Sequence, residues 1–330
     1  MSVRCYFVRC ALACLTLSLV ACGGRSESEP PATLSVSVTE LALAARNAAA
    51  LPTPIAGTPR VLTVTNTSAF TAQAVALDPS VVLPAGTTVT SNCDALAPQA
   101  RCTFTVTPGT VATTAPVALS IRGRNTNTVT ATVQVLAYGS AYQGGHVFAL
   151  DDSTPNTGSV GGKVAAKRDL QIYGPWTINS DAIAGVDELA SAPCNGAEDG
   201  ACNTQAIVAH YSAPPVDPLL YAAGLCSTFS DEGYVNWYLP SVCEMGVDGN
   251  GASSGCGSSP RQQNIFTNLV DKGDVGGMLG SVYWTSTNVS SAPLLNAWAQ
   301  YYTRAGQSSQ LQYDRDGTSL MQRCVRAITH

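Results

Sequence analysis

The segment Asn236-Trp237-Tyr238-Leu239-Pro240-Ser241 carries the strongest fold signal in this chain of 330 residues. Two tryptophan segments follow it, Trp284-Thr285-Ser286-Thr287 and Ala297-Trp298-Ala299-Gln300, and the chain closes with Arg323-Cys324-Val325-Arg326-Ala327. A tryptophan buries a large apolar area and carries one hydrogen-bond donor. The three tryptophans are therefore interpreted as core residues of one folded region, with a surface that holds a flat ligand as the alternative.

The residues around these segments predict a mixed α and β region from residue 139 to residue 330. Helices are expected over residues 182–192, 218–228 and 262–270, and Ser241 is placed to cap a short helix at Val242–Met245. Strands are expected near the end of the chain, over residues 282–286, 297–303, 310–313 and 323–328. Helices that precede an antiparallel set of strands indicate an α+β fold.

Residues 34–138 show the alternation of apolar and polar side chains that is typical of half-buried strands. About seven short strands are predicted, near residues 34–38, 60–66, 72–77, 87–91, 104–106, 117–121 and 129–135. Their number and spacing predict an all-β immunoglobulin-like sandwich. The favoured role is a spacer that lifts the distal region off a membrane, and a binding module is the alternative.

The first residues have the pattern of a secretory signal. Arg4 and Arg9 precede an apolar run over residues 11–21, and no acidic residue occurs before Glu27. The run is too short to remain as a membrane span. It ends in Leu19-Val20-Ala21-Cys22-Gly23, which resembles the lipobox of bacterial lipoproteins, so residues 1–21 are predicted to be removed and Cys22 to be acylated. An ordinary signal peptide is the alternative.

Under the lipoprotein interpretation, residues 22–33 are a tether, and Gly23 after the cysteine favours the outer membrane. Three of the twelve cysteines leave with the signal and Cys22 takes lipid, so eight remain. An even number suits an oxidising compartment. The spacing predicts the disulfides Cys93–Cys102, Cys194–Cys202, Cys243–Cys256 and, as the remaining pair, Cys226–Cys324. A structural metal site is the competing interpretation, but no CxxC motif occurs and only three histidines are present.

The net charge is −5, and it is unevenly divided. Residues 22–138 carry six basic and five acidic side chains, a net of +1, whereas residues 139–330 carry nine basic and seventeen acidic ones, a net of −8. An acidic balance with few charged residues does not indicate a nucleic-acid partner.

Several motifs in the second half resemble the Lcl C-terminal domain family, a bacterial surface module. The matching segments are the Gly144-Gly145-His146-Val147-Phe148 opening, Cys194-Asn195-Gly196, the 199–204 run, the segment from Asn236 to Ser241, Cys243-Glu244-Met245-Gly246, Tyr283-Trp284-Thr285-Ser286, Ala297-Trp298 and the 323–327 end. The resemblance covers about 190 residues. It implies a C-type-lectin-like fold for residues 139–330, and the family's best known member is an adhesin for sulfated polysaccharides.

Candidate ligand-binding residues lie on the terminal strands. Tyr301, Tyr302 and Tyr313 are expected to be exposed because their neighbours are polar, and the candidate ligand-binding residues are Tyr302, Arg304, Tyr313 and Arg315. Sulfated glycans would require a basic patch, for which Arg304, Arg315, Arg323 and Arg326 are the candidates. The net charge of −8 instead favours a neutral or weakly charged glycan, or a protein.

A calcium site is a further question, because Asp248-Gly249-Asn250-Gly251 could offer oxygen ligands. The segment lacks the Glu-Pro-Asn or Gln-Pro-Asp triplet of calcium-dependent lectins, so a plain turn is preferred. No metal and no cofactor are predicted.

These observations predict a surface-anchored lipoprotein that acts as an adhesin or extracellular ligand-binding module, and not an enzyme. Its expected partners are the membrane, through the lipid anchor, and a glycan or a host or matrix protein, with a homo-oligomer left open. It would face either the periplasm or the exterior. The alternatives are a structural envelope lipoprotein without a specific ligand and an enzyme of the formylglycine-generating fold, which would use a reactive cysteine pair.

Overall fold

The computed structural model describes residues 29–46, 54–170 and 173–329. The predicted signal 1–21, the lipidation site Cys22 and the tether as far as residue 28 lie outside the described residues. The chain from Pro31 onwards forms one compact unit. In the described part, no helix combines the length and the apolar character that crossing a bilayer requires.

The first part of this unit contains two four-stranded sheets. Their orders are β1-β3-β6-β5 and β2-β8-β7-β4, and all neighbours are antiparallel except β2 and β8. The strands are β1 (Leu34–Val36), β2 (Glu40–Ala44), β3 (Arg60–Asn66), β4 (Ala76–Leu77), β5 (Thr88–Ser91), β6 (Arg101–Thr107), β7 (Val117–Arg122) and β8 (Val129–Leu136).

Apolar and polar side chains alternate along the strands of these sheets, and β3 is an example. Its residues are alternately buried and half-buried, so one face turns to the core. Leu62 of β3 and Phe104 of β6 share that core with Ile121 and Ala131 of the second sheet. The predicted β-rich first half is confirmed. Strand β2 was missed because its last four residues, Leu41 to Ala44, are all buried and show no alternation.

The second part contains two more sheets and three short α-helices. One sheet has the order β15-β11-β10-β9 and the other the order β12-β13-β14. The strands are β9 (Ala141–Tyr142), β10 (Gly145–Asp151), β11 (Gly161–Ala166), β12 (Val282–Asn288), β13 (Asn296–Tyr302), β14 (Ser308–Asp314) and β15 (Val325–Ala327). The helices are α1 (Gly200–His210), α2 (Ala222–Thr228) and α3 (Val242–Met245), with a 3-10 turn at Pro218–Leu220 and a π-helical turn at Phe266–Val270.

Two helix predictions need correction. Residues 182–192 form turns and no helix, and Gly185 within them has a φ of 83°, outside the helical region. The expected helix over residues 262–270 is reduced to the π-helical turn. Helix α1 was not predicted, although Asp199 caps it by accepting a hydrogen bond from the Cys202 amide at 3.0 Å.

The predicted cap at Ser241 is confirmed. The Ser241 hydroxyl accepts from the Glu244 amide, and the Glu244 carboxylate accepts from the Ser241 amide at 2.8 Å. This reciprocal pair is a capping box, which satisfies two backbone donors at the start of α3.

All four tryptophans are buried, so the core interpretation of Trp237, Trp284 and Trp298 is confirmed. The indole of Trp284 donates to the Gly174 carbonyl at 2.9 Å, and that of Trp237 donates to the Tyr234 carbonyl at 3.0 Å. The core cluster that contains Trp176, Trp237 and Trp284 also includes Ala42 and Leu136 of the first part. The hydrophobic core therefore continues across the predicted domain boundary near residue 139.

All four predicted disulfides are present, joining Cys93 to Cys102, Cys194 to Cys202, Cys226 to Cys324 and Cys243 to Cys256. Three close short loops, and Cys226–Cys324 spans 98 positions of the chain. The Cys226–Cys324 disulfide lies in the core, in the same cluster as Trp176, Trp237 and Trp284.

Candidate functional site

The terminal strands do not present the four predicted ligand-binding residues as one surface. The expectation that Tyr302 is exposed is wrong, because its side chain is fully buried and its hydroxyl donates to the Met245 carbonyl at 2.8 Å. Burial raises the pKa of Tyr302 well above the usual phenol value. Its polar neighbours in sequence belong to the turn that follows β13 and not to the strand itself.

Arg315 is buried as well, against expectation. Its guanidinium donates to the Pro293 carbonyl at 2.8 Å and to the Asp181 carbonyl, and lies 5.3 Å from the centre of the Trp176 ring. Burial lowers the pKa of Arg315. This arginine ties loops together from the inside, so it offers no charge to a surface ligand.

The proposed basic patch is not formed. Arg323 and Arg326 are 1% and 3% exposed. Arg323 binds Asp169 at 2.6 Å and two backbone carbonyls, and Arg326 binds the side chain of Gln143. Only Arg304 of the four candidates is exposed, on the turn after β13. Tyr313 is half-buried, with its ring edge-on to Trp284 at 6.4 Å.

The loop around Asp248 supports the turn interpretation. Both carboxylate oxygens of Asp248 accept backbone hydrogen bonds at 2.7 Å, from Ala252 and Ser253. Asn250 exchanges hydrogen bonds with the backbone of Gln310 at 2.9 and 2.7 Å. These side-chain oxygens already accept hydrogen bonds from backbone amides of the protein. Among the described residues, no three His, Cys, Asp or Glu side chains are grouped so that they could hold a metal ion.

Glu244 is the centre of a buried polar cluster. Its carboxylate accepts from the Lys163 ammonium at 2.5 Å and from the Tyr238 hydroxyl at 2.8 Å, in addition to the capping bond. Burial lowers the pKa of Lys163, but the neighbouring Glu244 outweighs it and the net pKa is raised. Each hydrogen-bonding group here faces another protein group, so the cluster fixes α3 against β11.

A concave polar surface lies where the first and second parts meet. We call it the junction groove; its volume is about 400 Å³, within the range of small-ligand sites. One wall is built from β2, β8 and the loop before β7, and the other from the β9–β10 hairpin and the loop before Trp237. Its side chains are those of Glu40, Leu41, Thr114, Pro116, Thr132, Gln134, Tyr142, Gln143, Lys167, Glu232 and Tyr234.

Two tight turns position the tyrosines of the junction groove. Gln143 and Gly144 have φ values of 44° and 81° between β9 and β10, and Glu232 and Gly233 have 49° and 82° between the bridged residues Asp231 and Tyr234. Positive φ at both central residues marks the two-residue hairpin turn that matches strand twist. Tyr142 comes directly before the first turn, and Tyr234 directly follows the second.

The two turns pack against each other. A methyl group at Gly144 would lie 3.1 Å from the Tyr234 ring and 3.3 Å from the Asp231 carbonyl. On the other side, the Arg326 guanidinium lies 4.8 Å from the centre of the Tyr234 ring. Lys167 and Glu232 bind each other at 2.5 Å at the rim. The tyrosines are therefore held in place before any ligand arrives.

The groove also has polar side-chain atoms without a protein partner. Within the part of the chain that the structure describes, the Glu40 carboxylate and the hydroxyls of Thr114 and Tyr234 make no hydrogen bond or ion pair. Burial, and then the charge of Glu40, raise the pKa of Tyr142, which keeps its phenol protonated. The groove thus offers both acceptors and donors.

Sequence reasoning missed the junction groove. Its local signal is the pair of dipeptides Gln143-Gly144 and Glu232-Gly233, each next to a tyrosine. That the two turns meet depends on the docking of distant segments, which has no local signature.

No protein-family model matches this chain, and no curated protein matches it. Among solved structures, domains 4 and 5 of the S-layer protein SbsC match with a TM-score of 0.23 and 20% identity, over 33% of this chain and 54% of that one. A longer piece of the same protein, rSbsC(31-844), matches with the same TM-score and 20% identity, over 35% of this chain and 14% of that one. The matches thus span about half and about a seventh of those two chains. A TM-score this low does not establish a shared fold.

Proposed function

We propose that the protein is an outer-membrane lipoprotein, anchored through Cys22, that acts as an adhesin or extracellular ligand-binding module. The junction groove is the observation that carries the binding part of this proposal. It combines a concave surface, two fixed tyrosines and unpaired polar atoms, which are the usual elements of a binding site. The described residues also contain four disulfides, which fit an oxidising compartment.

In fold terms, we propose an immunoglobulin-like sandwich for residues 34–138 and a C-type-lectin-like fold of the Lcl type for residues 139–330. Two sheets with a common core support the first assignment, and short helices followed by the antiparallel β12-β13-β14 sheet support the second. Residues 151–160 dock on β2 and β3 through the hydrogen bonds of Ser159 with Ala42 and of Thr154 with Arg60. In this proposal the sandwich therefore contributes to the binding site in addition to its role as a spacer.

The alternative is a purely structural envelope lipoprotein. One hydrophobic core runs through both parts of the chain, which would make the protein rigid, and a structural role would require that rigidity. The enzyme alternative has less support, because all eight described cysteines are joined in disulfides and leave no thiol for a reactive pair. We propose no cofactor and no nucleic-acid partner.

The test is binding of the purified full chain to an array of neutral glycans, sulfated glycans and extracellular matrix proteins. The proposal expects saturable binding to at least one glycan or matrix protein, unchanged by a calcium chelator. Absence of binding to every array component would remove the binding function and leave the structural alternative.

A further inference from the structure

We propose that the junction groove binds a short stretch of a neutral oligosaccharide. This inference rests on the proposed function and narrows it to one ligand class and one site. A sugar ring presents apolar C–H faces together with several hydroxyl groups that both donate and accept. The groove offers the matching surface, with tyrosine rings, small apolar side chains and polar atoms at the same place.

The polar atoms of the groove suit hydroxyl groups. The Glu40 carboxylate is an acceptor, and the hydroxyls of Thr114 and Tyr234 both donate and accept. None of these three side chains has a hydrogen bond to a described residue. A ligand that supplies both donors and acceptors can pair with all of them, whereas an apolar ligand would leave them unsatisfied.

The charges of the groove favour a neutral chain over a sulfated one. Lys167 is the basic residue in the lining, and its ammonium is already bound to Glu232 at 2.5 Å. Because Lys167 and Glu232 neutralise each other, the carboxylate of Glu40 gives the lining a net negative charge. The Arg326 guanidinium lies against the ring of Tyr234 and is bound to Gln143, so it adds no free donor for a sulfate group.

A peptide that adds as a β-strand fits less well. Strand β9 is an edge strand of only two residues. On β2, the amide and the carbonyl of Ala42 are already bonded to Ser159 and Val160. Strand addition needs a row of free backbone groups, which these edges do not provide.

The experiment uses the purified full chain and a panel of probes: cellohexaose, maltohexaose, chitohexaose, heparin and collagen. Thr114→Trp places a large side chain at the exposed rim of the groove, and Val111→Trp, exposed and outside the lining, is the matched control. Binding of at least one neutral hexasaccharide should fall by tenfold or more in Thr114→Trp and stay within twofold of the original in Val111→Trp.

A second pair of variants tests the hydroxyl contact without altering the packing. Tyr234→Phe keeps the ring against Arg326 and removes the free hydroxyl, so affinity should fall about two- to tenfold. Tyr173→Phe, an exposed tyrosine outside the groove, should bind like the original protein. Thermal unfolding of each variant verifies that the fold is retained.

The outcomes separate this inference from the proposed function. Neutral-glycan binding that Thr114→Trp leaves intact would overturn the groove assignment and keep the binding function. Binding to heparin or collagen alone would overturn the ligand class, again with the binding function kept. Failure to bind any probe here or on the wider array would remove both.

Discussion

Arg60 and Asp152 form an ion pair that joins strand β3 to the segment after β10, with 3.3 Å between Nη2 of Arg60 and Oδ1 of Asp152. The Arg60 side chain is fully buried, and its guanidinium also donates to the carbonyls of Thr154 at 2.9 Å and Pro155 at 2.7 Å. The second oxygen of Asp152 accepts from the amide of Thr58 at 2.8 Å. This network joins the first part of the chain to the second.

Replacing Arg60 should destabilise the whole unit. In Arg60→Ala, Asp152 loses its charge partner and the carbonyls of Thr154 and Pro155 lose their donor, so the free energy of unfolding should fall by about 3 to 5 kcal/mol. Urea unfolding followed by tryptophan fluorescence measures it. Arg122→Ala is the control, because the Arg122–Asp78 pair lies at the surface and should contribute little. If the two variants lowered the free energy of unfolding equally, the Arg60–Asp152 network would not stabilise the contact between the two parts of the chain.

The Cys226–Cys324 disulfide should contribute strongly to stability. It closes the longest loop of the four bridges, with a separation of 98 positions, and the loop-entropy estimate gives about 4.7 kcal/mol. Cys226→Ala/Cys324→Ala should therefore lower the unfolding midpoint more than Cys93→Ala/Cys102→Ala, whose separation is 9. Peptide mapping of the oxidised protein tests the pairing itself, and Cys226 found joined to Cys243 would refute it.

Stability should fall in alkaline solution. Burial raises the pKa of Tyr138 to about 12, and burial, followed by the charge of Asp169, raises that of Tyr283 to about 12, from 10.0. The unfolded chain therefore loses these protons first, so stability is full below pH 10 and declines as the pH rises from 10 towards 12.

Tyr138→Phe should flatten this decline, as measured by urea unfolding at intervals between pH 8 and pH 11.5. It also removes the hydrogen bond to Gln263, so the slope with pH is the informative quantity and not the stability at one pH. Tyr173→Phe, at an exposed position, should follow the original slope. A slope for Tyr138→Phe equal to that of the original protein would show that Tyr138 does not drive the alkaline loss.

The proposed lipid anchor requires the Cys22 thiol. Cys22→Ser should leave the protein without acyl chains and move it out of the membrane fraction. Metabolic labelling with a fatty-acid analogue and fractionation measure the two effects. Labelling and fractionation that match the original protein would rule out the lipoprotein assignment.

Several of the features predicted correctly from the sequence have local causes. The cap at Ser241 was predicted from a serine directly before a short helix, and the three short disulfides from cysteines on either side of short polar or glycine-rich loops. Strand β3 was recognised with its bounds because it alternates along its whole length. Each of these signals is contained within a few neighbouring residues.

The features that were missed depend on distant partners. Arg315 lies in a polar stretch of sequence, which predicts an exposed charge. Its guanidinium is instead buried, where it donates hydrogen bonds to the carbonyls of Pro293 and Asp181. Tyr302 packs its ring against Phe266 and Tyr283 in the core, and the Met245 carbonyl, 57 positions earlier in the chain, accepts a hydrogen bond from its hydroxyl. The meeting of the Gln143-Gly144 and Glu232-Gly233 turns has the same character, since only the folded chain brings them together.

We propose above all that this protein attaches a cell to an extracellular ligand. The most direct measurement is adherence of cells that make the protein to surfaces coated with the ligand found on the array. Cells with the original chain should adhere, cells with Cys22→Ser or without the protein should not, and added soluble chain should compete. Equal adherence with and without the protein would contradict the account.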